Sequence, residues 1–155
     1  MILTEEQRMV RDMARDFAVE KLAPHAAEWD RDAIFPVEVI REMGALGLMG
    51  MLIPPEWEGG GADNIAYIMA LEEIAAGDGA CSTIMTVHNT VACLPIYKFA
   101  TNEQKERFLR PLARGDLLGG FALTEPEAGS DAAALRTRAV RDGNRWIVNG
   151  TKQFI

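Results

Sequence analysis

The run Phe121-Ala122-Leu123-Thr124-Glu125-Pro126-Glu127-Ala128-Gly129-Ser130-Asp131 gathers residue types that can hold a ligand. Pro126 and Gly129 fix a turn, and the small neighbours leave backbone N–H groups and the Thr124 and Ser130 hydroxyls free to donate. Such donors suit the pyrimidine edge of a flavin or a pyrophosphate, and glycine permits close approach. The same residue types also build ordinary turns, so this run by itself leaves both readings open.

Other groups with chemical potential read as structural. Cys81 and Cys93 show neither C-x-x-C nor Cys/His spacing, so we expect buried free thiols and no metal site. His88, beside Asn89 on an apolar helix, reads as a core histidine with a hydrogen-bond partner, with a direct substrate contact as the other reading. His25 beside Pro24 reads as a surface residue, and Glu72-Glu73 as a solvated or capping pair rather than an acid–base dyad. Met43, Met49 and Met51 read as core filler.

The elements that must position these residues change character along the chain. Thr4 with Gln7 forms a capping box that starts a helix carrying Val10, Met13, Ala14, Phe17 and Leu22 on one face, and Pro24 ends or kinks it. A second helix runs from Pro36 to about Leu46. Residues 47–61 form a loop, and Asp63 caps a third helix that Gly77 and Gly79 terminate. An apolar helix near 81–99 follows, then a short one opened by the Thr101/Gln104 capping box and stopped by Gly115.

Beyond Gly115 the period becomes strand-like. We expect a strand over Gly119 to Leu123, a hairpin of Thr137 to Arg141 and Arg145 to Val148 turning on Asp142-Gly143, and a second turn at Asn149-Gly150 leading to a strand ending on Phe154 and Ile155. The expected class is mainly α: an N-terminal helical, bundle-like domain over 1–118, then an incomplete β-domain over 119–155, the first strands of a barrel. So few strands cover too little apolar area to stand alone, and the chain reads as a fragment of a longer protein.

The 155 residues suffice for one domain with a real core, and their 48% hydrophobic content fits a globular protein. A net charge of −7 argues against nucleic-acid binding, which needs clustered Lys and Arg. Thr83, Thr86, His88, Asn89 and Thr90 interrupt the longest apolar stretch, so no membrane span is expected. The start from Met1 passes straight into a helix without a leader, and with two cysteines it suggests a cytoplasmic protein.

Taken together, Thr124, Glu125, Pro126, Gly129, Ser130 and Asp131, then Asn149, Gly150, Lys152, Phe154 and Ile155, form a T-E-P-x-x-G-S-D…N-G-x-K-x-F-I pattern. It resembles that of the acyl-CoA dehydrogenase family. Gly47-Leu48-Met49-Gly50, Pro55-Glu56-Trp57 and Gly59 to Gly61 extend the likeness upstream, with Trp57-Glu58 where the family more commonly has Tyr-Gly. The resemblance covers effectively the whole chain. It implies an FAD-dependent enzyme oxidising an acyl-CoA to the 2-enoyl-CoA, built as a helical domain, a β-barrel and a C-terminal helical bundle. Ala27-Glu28-Trp29-Asp30, Phe35-Pro36 and Thr86-Val87-His88-Asn89 lean toward the short-chain and short branched-chain members.

By the same resemblance, Phe121, Ala122, Leu123 and Thr124 line the flavin, Gly129 and Ser130 reach toward it, and Phe154 and Ile155 lie against its ring system. Ser130 also contacts the acyl-CoA. The family's basic glutamate lies in its C-terminal bundle and none of these residues matches it, while Glu125 is structural, so no catalytic residue is assigned. The family also implies an electron-transferring flavoprotein partner and a homotetramer for the full-length enzyme. Residues 1–155 alone are expected to be inactive and to bind FAD weakly or not at all. The alternatives are an acyl-CoA oxidase or flavin monooxygenase of the same superfamily, or a non-catalytic helical module.

Overall fold

The computed structural model describes residues 2–155, so Met1, the first residue of the expected lead-in, lies outside the described residues. The chain divides after Gly120 into two compact units, each considered by itself. The first is helical. Helix α1 (Glu5–Phe17) starts on the expected capping box, with the Thr4 side chain accepting from Gln7 N–H and the Gln7 side chain returning to Thr4 N–H. A π turn (Ala18–Leu22) extends it, and Ala14, Phe17 and Leu22 are buried. Helix α2 (Ala26–Asp32) follows the Pro24 turn. The sequence pattern did not reveal it because it buries no residue, so no apolar stripe marks it.

Helix α3 (Val37–Ala45) packs Ile40 and Met43 inward, and α4 (Asn64–Gly77) lies beside α1. Two polar links fix that pairing: Gln7 Nε2 donates to Asp63 Oδ2 at 2.8 Å, and Arg15 forks onto Glu73 at 2.6 and 3.0 Å. Asp63 caps α4 through Ala66 N–H, as expected. The α4–α5 junction differs from the expectation: Gly79 opens the next helix instead of ending the previous one. Asp78 breaks the chain with an extended backbone and caps Cys81 N–H at 2.6 Å, so a single residue both stops α4 and starts α5.

Helices α5 (Gly79–Val87) and α6 (Leu94–Phe99) are joined through a second π turn (His88–Cys93). Then α7 (Asn102–Gln104), a third π turn (Lys105–Leu109) and α8 (Arg110–Ala113) run in succession from the Thr101 capping box. Leu22, Ile40, Met43, Leu48, Met49, Ile74 and Met85 form one core, and Ile53, Cys93, Leu109 and Leu112 a smaller one. Met43, Met49 and Met51 are core filler, and both cysteines are buried free thiols. No helix among the described residues is long and apolar enough to cross a membrane.

In the loop ahead of α4, a short 3₁₀ turn (Pro55–Trp57) carries the Trp57-Glu58 departure. Glu58 adopts φ 63°, a left-handed conformation that costs a non-glycine residue about 1–2 kcal/mol. Cations cluster around this turn. Arg114 Nη1 reaches its carboxylate at 2.7 Å, while Lys105 and Arg110 lie over the Trp57 ring at 5.5 and 5.3 Å.

His88 is fully buried, as a core histidine with partners on both ring nitrogens. Burial lowers its pKa, against a smaller raising effect of the Leu112 carbonyl. A folded-state pKa below the unfolded value means the unfolded chain gains the proton first, so stability holds above about pH 6.5 and declines as pH falls below it. Melting temperatures across pH 8 to 5 are expected to show this decline, and His88→Gln to flatten it. An unchanged profile in the variant would assign the acid sensitivity elsewhere.

The second unit, from Phe121, forms a tight turn at Glu125–Ala128, whose two end residues exchange backbone hydrogen bonds at 2.8 and 3.2 Å. A 3₁₀ turn (Ala132–Ala134) capped by Asp131 leads to the hairpin β1 (Arg138–Asp142) and β2 (Arg145–Asn149). Its register pairs Asp142 with Arg145, so the connecting residues are Gly143-Asn144, one position later than the expected Asp142-Gly143. Both strands are exposed along their length, with Trp146 66% and Val148 64% accessible.

Two expected strands are absent among the described residues. Gly119 to Leu123 forms no ladder, and residues 150–155 form none after β2. Asn149-Gly150 is no hairpin turn either. Gly150 serves close approach instead, since a Cβ there would come within 2.1 Å of Thr137 Oγ1.

Candidate functional site

Glu125 organises the second unit. Its carboxylate is 7% exposed and faces inward, accepting from Arg136 N–H at 2.6 Å, Thr137 N–H at 3.0 Å and Lys152 Nζ at 2.9 Å. The adjacent Thr137 hydroxyl, the Arg136 N–H and the Lys152 ammonium lower its pKa to about 2. A carboxyl so held stays ionised and is too weak a base to take a substrate proton near neutral pH. Its role is to gather two distant points of the chain, residues 136–137 and 152, onto one turn.

Lys152 also donates to the Leu123 carbonyl at 2.9 Å, and Gln153 N–H donates to the Thr124 carbonyl at 2.8 Å. These bonds lay residues 152–153 against 123–124, so the Phe121–Thr124 run and the Phe154-Ile155 pair are neighbours. Gly129 and Ser130 leave the far end of the turn and join this group only through the Glu125–Ala128 bonds. Sequence reasoning gave Glu125 a structural role but missed its partners and the double duty of Lys152. A carboxylate and a lysine within one motif, flanking apolar residues, were the available signal.

The expected site residues face outward from this frame. Phe121, Ala122, Gly129, Ser130, Phe154 and Ile155 are exposed, and Leu123 and Thr124 are half-buried. Among the described residues, the N–H groups of 121–124 and of Gly129 and Ser130 bond no backbone carbonyl. A row of free donors beside exposed apolar side chains fits a ligand that is both aromatic and polar-edged. Space beside Gly129 is open, since a Cβ there would meet nothing within 4 Å. Phe154 sits at φ 59°, a left-handed conformation that costs a bulky residue roughly 1–3 kcal/mol and is met mostly where function requires it.

Residues 4–116 match the family described as acyl-CoA dehydrogenase, N-terminal domain, and residues 120–155 the one described as acyl-CoA dehydrogenase, middle domain. The chain belongs to the acyl-CoA dehydrogenase family. It is 44% identical over 153 residues to a probable acyl-CoA dehydrogenase of Bacillus subtilis, covering 99% of this chain and 40% of that protein. It is 44% identical to the mitochondrial short-chain specific acyl-CoA dehydrogenase of Rattus norvegicus, covering 99% of this chain and 37% of that one. Among solved structures it is similar to the glutaryl-CoA dehydrogenase of Mycobacterium smegmatis in complex with FADH2, with a TM-score of 0.91 at 37% identity, covering 97% of this chain and 39% of that one. The chain thus spans about 40% of the length of the curated relatives it matches. Its fold is the helical part of the acyl-CoA dehydrogenase fold with the opening of its β-domain.

Proposed function

We propose that these residues form the flavin-contacting part of an FAD-dependent acyl-CoA dehydrogenase acting on a short or branched acyl-CoA. The carrying observation is the Glu125 frame: it uses the buried carboxylate of the cradle internally and leaves the donors of 121–124 and 129–130 facing outward. Backbone N–H groups of Phe121, Ala122, Leu123 and Thr124, with the Thr124 hydroxyl, would hold the polar edge of the cofactor. Phe154 and Ile155 would cover its apolar face, and Gly129 and Ser130 would close the site, Ser130 also touching the acyl-CoA. FAD, when bound, supplies the hydride acceptor for oxidation to the 2-enoyl-CoA. These residues bind, orient and exclude water, and the proton-abstracting base is assigned to none of them.

We assign residues 1–118 to the helical domain and 119–155 to the β-domain. We also infer fatty-acid oxidation in the cytoplasm, an electron-transferring flavoprotein as acceptor and a homotetrameric enzyme, on family membership and on two cysteines kept as free thiols. A protein of the relatives' length carrying these residues is expected to purify yellow and to lose its main flavin absorbance anaerobically with butyryl- or isobutyryl-CoA. A colourless protein, or a flavin that no acyl-CoA bleaches, would sink this reading.

A further inference from the structure

We propose that His88 is a positioning residue for the cofactor segment: it clamps Gly119, and with it the chain from which the Phe121–Thr124 run departs, to helix α8. This inference rests on the flavin reading above.

The imidazole is fully buried and both nitrogens are engaged. Nε2 lies 2.9 Å from the Leu112 carbonyl, and Gly119 N–H donates to Nδ1 at 3.1 Å. A carbonyl can only accept and an amide N–H can only donate, so the ring is the neutral tautomer carrying its proton on Nε2. One rigid ring therefore ties the end of α8 to Gly119, two residues before the run. A hydrophobic side chain would fill the same volume and make neither bond.

The base of the clamp is equally fixed. In an α-helix successive side chains diverge by about 100°, yet His88 and the adjacent Asn89 are both fully buried in the π turn. Asn89 Nδ2 donates to the Leu48 carbonyl at 2.9 Å and to the Met85 carbonyl at 3.0 Å. The same turn touches Gly119 a second time, because a Cβ on Gly119 would come within 2.4 Å of Ala92 Cβ. Gly119 is thus bonded by one residue of the turn and backed by another. Residues 117–120 form no ladder, and beside the Leu117 N–H bond to the Pro111 carbonyl at 3.1 Å these contacts are what hold Gly119 in place.

The test splits the clamp with two substitutions in a protein of the relatives' length carrying these residues. Asparagine presents a polar atom where Nδ1 lies, so His88→Asn keeps the Gly119 arm. Glutamine reaches the Nε2 position, so His88→Gln keeps only the Leu112 arm. Amide exchange of a peptide covering Gly119 and the FAD dissociation constant are measured well below either melting temperature. His88→Gln is expected to speed Gly119 exchange and weaken FAD binding, each roughly tenfold, while His88→Asn stays within about threefold of the parent in both. FAD binding that weakens equally in both variants, in step with their melting temperatures, or in neither, overturns the proposal. A parent protein that binds no FAD would instead overturn the flavin reading. The clamp is then judged on exchange alone, and equal Gly119 exchange in His88→Gln and the parent rejects it.

Discussion

Glu125→Gln is expected to strip flavin from the protein while leaving the helical unit folded. The carboxylate accepts from three donors, the Arg136 and Thr137 N–H groups and the Lys152 ammonium. A glutamine amide offers one oxygen and turns an NH2 toward the rest, so at least one donor must face another donor. Bonds to charged acceptors are the strong ones, and leaving their partners unmet should weaken FAD binding roughly tenfold or more. Lys152→Met removes one donor and keeps two, so the loss should be smaller, about threefold. Fluorescence titration with FAD measures both. A Glu125→Gln protein with parental affinity would show that the frame does not organise the cradle.

The same carboxylate sets a pH window. Its folded pKa of about 2 lies below the ordinary carboxyl value, so its contribution is complete above about pH 4.5 and is lost as pH falls toward 2. His88 therefore adds acid sensitivity below about pH 6.5 and Glu125 below about 4.5, where Asp63 and Glu106, also held below the ordinary carboxyl value, contribute as well.

Gly50→Ala is expected to be strongly damaging to the helical unit. An added Cβ would lie 2.3 Å from the Ala113 carbonyl oxygen and 2.9 Å from Ala113 Cα, both backbone atoms of α8. Backbone cannot swing aside as a flexible side chain can, so the loop or the helix must shift. Overpacking of this kind costs about 3 kcal/mol, which lowers the melting temperature of a protein this size by about 10 °C. Thermal unfolding followed by circular dichroism measures it. A melting temperature within about 2 °C of the parent would mean that α8 yields more easily than its contacts suggest.

The helical unit was largely legible because its signals are local. Thr4/Gln7, Asp63 and Thr101/Gln104 are caps that act within one turn, and each starts its helix where the residues indicate. Helix α2 was not legible, since it buries no residue fully and so carries no apolar stripe. The β-region was read less well for a related reason. Gly119 to Leu123 and residues 150–155 have strand-like residues, but a strand needs a partner, and here the bonds run to Lys152, Gln153 and Glu125 instead of to a ladder. Asn149-Gly150 looked like a turn because close approach and turn formation ask for the same residue. In the site itself the motif residues were visible, while the inward use of Glu125 depended on three contacts distant in sequence.

The π turn at His88–Cys93 also constrains how this chain can be altered in length. A π turn holds one residue more than an α turn, so deleting a single residue inside it would leave an unbroken α-helix that still looks acceptable by propensity. The deletion would keep the helix beyond it in nearly the same phase, but it would remove the widening that lets His88 and Asn89 both be buried. Helix α6 would keep Leu94, Ile96 and Tyr97 against the Ile53–Leu112 core, while His88 and the adjacent Asn89 could no longer both make their buried bonds. A homologous helix swapped into this position must therefore carry the whole stretch from Met85 to Tyr97 as one block, and junctions placed within it would yield well-formed helices that no longer fit the rest of the unit.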